Sequence, residues 1–187
     1  MTENYTSKSS TGVHQLALTA VMAAVICVMG PFALPIGPVP MTLANLGIYL
    51  AAYILGSRRG TISCLIYLLI GFIGVPVFAN FTAGAGKLLG PTGGYLIGFI
   101  LMAFVTGYFA EKFPDKILLK FFGMIAGTAL TYAVGTAWLA YQSGMSFGTA
   151  LAAGVIPFIP GDALKMVISI LLGKPIRMQL IRSGLLK

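Results

Sequence analysis

Asp162 and Lys165 stand three residues apart in PFIPGDALKMVISILLGKP, residues 157–175, at the head of an otherwise apolar run. Residues i and i+3 share a helix face, so this spacing sets an acceptor-only carboxylate beside a donor-only ammonium. Pro160 suits a first helical turn, which places Asp162 near a helix N-terminus, where negative charge is favoured by about 0.3–1 kcal/mol. Two readings follow. The pair is a helix cap with a local ion pair, or it faces the interior of a bundle, where ionisable residues in membrane proteins mark function.

Other candidate chemistry is thinner. GAGK, residues 84–87, resembles part of a phosphate-binding loop, but that pattern needs Gly where Phe81 stands and Ser or Thr where Leu88 stands. No nucleotide site is expected, so energy for any transport must come from a partner. Cys27 and Cys64 lie inside apolar runs and read as small buried hydrophobes. His14 is the single histidine and reads as interfacial. One histidine and two distant cysteines do not make an ordinary metal site.

The elements that must position these residues are membrane spans. The chain has 187 residues, 58% apolar and 9% charged, with mean hydropathy +0.95. A soluble domain usually carries about a quarter charged residues and could not hide this much apolar surface. No Lys, Arg, Asp or Glu occurs in residues 9–57, 60–86, 88–110 or 121–161. A spanning helix needs about 20 mostly apolar residues, so the first and last tracts must hold hairpins or apolar loops. The net charge of +8 suggests nucleic acid, but the bases flank apolar runs and are not interleaved with aromatics. No nucleic-acid partner is expected.

The reading is an all-α integral membrane protein with a polar tail over residues 1–14 and a six-helix transmembrane domain over residues 15–187. Spans are expected at about 16–29, 43–56, 62–75, 94–110, 117–141 and 160–181. The run of prolines in PFALPIGPVP, residues 31–40, ends the first. The first span is expected to be retained, since no basic n-region and cleavage site precede it. With six spans both termini share a side. Lys8, Arg58, Arg59, Lys112, Lys116, Lys120, Lys174, Arg177, Arg182 and Lys187 then lie on that side, ten of the twelve bases. This bias predicts that both termini are cytoplasmic. The apolar run of residues 149–160 is broken by Pro157 and Pro160 and is expected as an outer loop.

The outer loops carry most of the unusual polar residues: 35–46, 76–95 and the segment leading into PGDALK. Non-helical backbone at membrane depth must be buried in protein or line a cavity, which predicts a lidded pocket open to the outside. Ala17, Ala20 and Ala24 share one face of the first span, suited to packing within the bundle or to docking another membrane protein. Tyr132, Trp138 and Tyr141 read as an aromatic belt or as pocket lining.

The segments PIGPVPMTL, YLLIGFIGVPVFANF, GKLLGPTGGYLIGF and FIPGDALK occur in this order. Together they closely resemble the BioY family, the biotin-specific S components of energy-coupling factor transporters. The resemblance covers nearly all of the chain after its polar start. The family often has Gln after TL in the first loop, where Ala44 stands here. The resemblance implies a six-helix S-component fold and a non-enzymatic, biotin-binding subunit in a bacterial or archaeal cytoplasmic membrane. It implies partnership with a transmembrane coupling component and two ABC-type ATPases, and no cofactor of its own. It places ligand contacts at Asn80, Asp162 and Lys165, near the GPTGGY turn, and partner docking on Ala17, Ala20 and Ala24. Biotin's ureido ring offers two N–H donors and one carbonyl acceptor, which Asp162, Asn80 and Lys165 complement. Lys87, or Thr92 and Tyr95, are candidates for the valerate carboxylate, and Thr42 and Asn45 lie near Ala44 at the end of the first outer loop. A different vitamin, or a proton-coupled carrier using Asp162 as a proton site, are the alternatives.

Overall fold

Long proline-free apolar runs become helices here, and proline and glycine place their ends. The computed structural model describes residues 3–37 and 39–186, with side chains from Gly12 onward. Helix α1 (Glu3–Met29) stops where Pro31 removes a donor, after Gly30 closes on the Ile26 carbonyl at 2.8 Å. Its backbone runs back through residues expected to form a polar tail.

The prolines that end α1 build an antiparallel ribbon that the all-helical reading did not contain. Strands β1 (Ala33–Ile36) and β2 (Val39–Thr42) pair in the register Ala33↔Thr42 to Ile36↔Val39. Pro35 faces Pro40 across it. In a two-stranded ribbon both strands are edges, where a missing N–H is tolerated.

Helix α2 (Ala44–Phe72) joins two of the expected spans through one residue. Gly56 has φ 85° and ψ −174°, a conformation open essentially to glycine alone. The chain doubles back there, bringing Gly60 against the backbone of Ala52. Arg58 and Arg59, expected in a loop, lie within the first turn of the returning limb. The reversal is closed by Gly107, which has no side chain to hold off Ser57, and by the Glu111 carboxylate, which accepts the Ser57 hydroxyl at 2.6 Å.

A 3-10 turn (Ala79–Phe81) and the short α3 (Ala85–Leu89) lead into α4 (Gly93–Lys112). Helix α5 (Ile117–Ser143) packs on α4 through glycines at the contact, which let the two backbones approach closely. Gly98 lies against Thr131, whose hydroxyl donates to the Gly98 carbonyl at 2.9 Å, and Gly127 lies against Met102. The 149–160 segment holds α6 (Phe147–Gly154) and a 3-10 turn (Ile156–Phe158). Eight residues are far too few to cross a bilayer. Helix α7 (Ile159–Arg182) follows at once, with Pro160 in its first turn.

Among the described residues, five segments are long and apolar enough to cross a membrane: Gly12–Met29, Ala44–Phe72, Gly93–Lys112, Ile117–Ser143 and Phe147–Arg182. Because α2 doubles back, the six expected segments correspond to α1, the two limbs of α2, α4, α5 and α7. The main core joins Ile26 of α1, Tyr49 and Tyr67 of the two α2 limbs, Met102 of α4, Met124 of α5 and Met166 of α7. At one end Leu186 packs with Leu55 and Leu18, so the last described residue lies beside the α2 reversal. The β-ribbon, α3 and α6 gather around the opposite end.

Candidate functional site

The N-terminal turn of α7 buries its charges at that second end. Asp162 and Lys165 are 3% and 6% exposed, and Lys165 Nζ lies 2.9 Å from Asp162 Oδ1. Burying two ions costs several kcal/mol each, so each needs close partners. Asp162 Oδ2 accepts the Tyr132 hydroxyl at 2.6 Å, and Asn45 Nδ2 lies 3.3 Å from both carboxylate oxygens. Lys165 also donates to the Thr42 carbonyl at 2.8 Å. Four elements therefore meet at the pair: β2 of the ribbon, the start of α2, α5 and α7.

Thr42 anchors this junction. Its hydroxyl donates to the Gly30 carbonyl at 2.7 Å and accepts the Ala44 N–H at 3.1 Å, fixing the end of β2 against the end of α1 and the start of α2. Asn45, the second residue of α2, is thereby held facing Asp162.

The pair forms the polar floor of a half-enclosed cavity whose walls include Tyr67, Phe78, Phe99 and Phe158. An apolar cavity with a few convergent polar groups is the usual form of a small-molecule site. Tyr95 lines it too, seated in a slot between Gly135 and Gly154. Lys87 and Thr92 contribute from the 76–95 segment. This segment is held down by α5: Trp138 donates to the Gly90 carbonyl at 2.9 Å and Gln142 to the Leu89 carbonyl at 2.7 Å.

Of the residues singled out from sequence, Thr42, Lys87, Thr92, Tyr95, Asp162 and Lys165 line one cavity. Asn80 does not. It is exposed, in a left-handed conformation with φ 57°, and its N–H donates to the Pro31 carbonyl at 2.9 Å. Ala17, Ala20 and Ala24 are exposed on α1, away from the bundle core. Of the three aromatics read as a belt or as pocket lining, Tyr132 lines the cavity and bonds the carboxylate, Trp138 holds the loop, and Tyr141 is exposed at 84%. Tyr132 and Asn45 line the cavity, though neither is among the ligand contacts expected from the sequence. A hydroxyl in the middle of a charge-free span needs a partner, and that signal could have found Tyr132. Asn45 carried the same signal near the start of the second span.

The fold and the cavity define a multi-pass, mostly helical membrane protein of the S-component type. The structure superposes with TM-score 0.82 and 32% identity, over 95% of both chains, on a crystal structure of the S-component for biotin from an ECF-type ABC transporter. The BioY family model matches residues 1–182, and the chain belongs to that family. It is 40% identical over 160 residues to the biotin transporter BioY of Thermotoga maritima, covering 86% of this chain and 94% of that one. It is 40% identical over 174 residues to the biotin transporter BioY of Rhizobium etli, covering 87% and 92%. The family is one of transporter components, not of enzymes.

Proposed function

We propose that this chain captures biotin in the cavity above Asp162 and Lys165 and delivers it across the cytoplasmic membrane of a bacterium or archaeon. The observation that carries the reading is the buried pair on the floor of an apolar, aromatic-walled cavity, in a chain whose relatives are biotin transporters. The ureido group supplies two donors and one acceptor, and the floor supplies the complementary set. Lys165 donates a hydrogen bond to the ureido oxygen, and Asp162 accepts one from a ureido N–H. The thiophane ring and chain lie along Tyr67, Phe78 and Phe99. Lys87, Thr92 and Tyr95, on the side of the cavity formed by the 76–95 segment, serve the valerate carboxylate. Contact from Asn80 requires the 78–82 segment to turn inward.

The cavity end faces outward and the basic end, with both termini, faces the cytoplasm, as the distribution of bases favours. The exposed face of Ala17, Ala20 and Ala24 docks a transmembrane coupling component that is driven by two ABC-type ATPases. Small residues let a partner helix approach closely. Phe at Ala20 or Ala24 is expected to leave biotin binding intact and to abolish co-purification with that component. Co-purification at wild-type yield refutes the docking face.

The ligand is tested by mass spectrometry of small molecules released from the purified protein, with Asp162→Asn purified alongside. Biotin is expected from the wild type and not from the variant. Another vitamin, or equal biotin from both, contradicts the reading.

A further inference from the structure

The donors already committed at the cavity floor leave a specific remainder. An ionised carboxylate offers about four acceptor positions. Asp162 uses three, for Lys165, Tyr132 and the amide of Asn45. An ammonium has three protons, and Lys165 spends two, on Asp162 and on the Thr42 carbonyl. Asn45 lines the cavity, and its Oδ1 is buried with no protein donor among the described residues. Its orientation follows from charge: a flipped amide would set Oδ1 against both carboxylate oxygens. One acceptor position on Asp162, one proton on Lys165 and the Asn45 carbonyl therefore remain open.

We infer that Asn45 is a ligand-binding residue whose Oδ1 accepts one N–H of a cyclic urea, while Asp162 accepts the other and orients the Asn45 amide. This rests on the biotin reading above. A ligand with one N–H fills one open acceptor and leaves the second buried and bare. Asn45 thus sets the preference for a urea over a lactam, independently of the ion pair.

The test titrates purified wild type, Asn45→Ala and Asn45→Ser with three probes: biotin and the two lactam analogues in which CH2 replaces one or the other ureido N–H. Removing a partner from a buried hydrogen bond costs about 10- to 100-fold in affinity. Asn45→Ala is expected to weaken biotin by that factor. Toward one lactam, the one lacking the N–H that meets Asn45, the same substitution is expected to cost less than threefold. Toward the other lactam the full loss returns. Such a pattern isolates the pairwise contact. Asn45→Ser, with a shorter polar side chain, is read the same way if the alanine variant does not fold. Equal losses across all three probes mean that Asn45 acts only by holding Asp162, and overturn the assignment. Unchanged biotin affinity overturns it too. Wild type that binds no biotin overturns the functional reading itself, and is distinguishable from both.

Discussion

At the α7 entrance one acid and one base are buried against each other at 2.9 Å, while around the α2 reversal four bases and one acid gather with no ion pair among the described residues. The second set uses other partners. Arg177 donates to the Tyr53 carbonyl at 2.6 Å, Lys120 lies 4.7 Å from the centre of the Tyr53 ring, and Glu111 takes the Ser57 hydroxyl. Arg58 and Arg59 line the same polar hollow. Tyr53 lies in the last turn before Gly56, where helix carbonyls lose their regular partners. Arg177 therefore caps a broken helix, and Lys120 covers an aromatic face. Charge at that end holds a backbone reversal; charge at the α7 entrance leaves unused donor and acceptor positions facing a cavity. The two ends differ in what their charges leave unsatisfied, and not only in how many charges they hold.

The comparison breaks most sharply if the ion pair is merely structural. Lys165→Met leaves Asp162 buried without a counter-charge, and removing one partner of such a pair costs about 3–5 kcal/mol. A large drop in melting temperature is expected. The double variant Asp162→Asn with Lys165→Met is expected to recover most of it, since a buried pair adds little net stability over an uncharged replacement. Failure of the double variant to recover stability makes the α7 pair a structural device like the far end.

At the far end, Gly56→Ala forces an alanine into a glycine-only conformation and drives its Cβ into Glu111. Backbone strain and overpacking together cost about 2–4 kcal/mol. Thermal unfolding checks this, and wild-type melting would mean the reversal is not fixed by Gly56. Arg177→Ala removes the cap on Tyr53 and is expected to cost about 1–3 kcal/mol of stability with biotin affinity within twofold of wild type. A larger loss of affinity couples the two ends. The smallest effect is expected at Tyr132→Phe. It keeps the ring and removes the 2.6 Å bond to Asp162, and a three- to tenfold loss of biotin affinity follows with little change in melting. Unchanged affinity shows that the carboxylate needs no orienting hydroxyl.

Much of this was legible in the sequence because membrane helices are set by composition over long windows. Charge-free tracts and the charges between them located every limb. Asp162 and Lys165 stood out because a charge pair in an apolar run needs a reason. Features decided by single residues were not legible. GSRRG reads as a loop, yet one glycine reverses the chain without one. Prolines 31, 35 and 40 signal a helix stop but not a ribbon, since strand pairing depends on register, which no local pattern states. Asn80 sits on a stretch whose exposure follows from its own left-handed turn, and the motif around it did not reveal that. Asn45 and Tyr132 joined the site through contacts across 117 and 30 residues of chain, beyond any spacing rule.

The central claim, that the buried pair recognises the ligand, is tested most directly by titrating biotin into wild type and into the Asp162→Asn, Lys165→Met double variant, each purified without partners and matched for melting temperature. Tight binding by the wild type and a loss of at least about 100-fold in the variant are predicted, from two charge-assisted contacts removed together. Equal affinity in two equally stable proteins contradicts it.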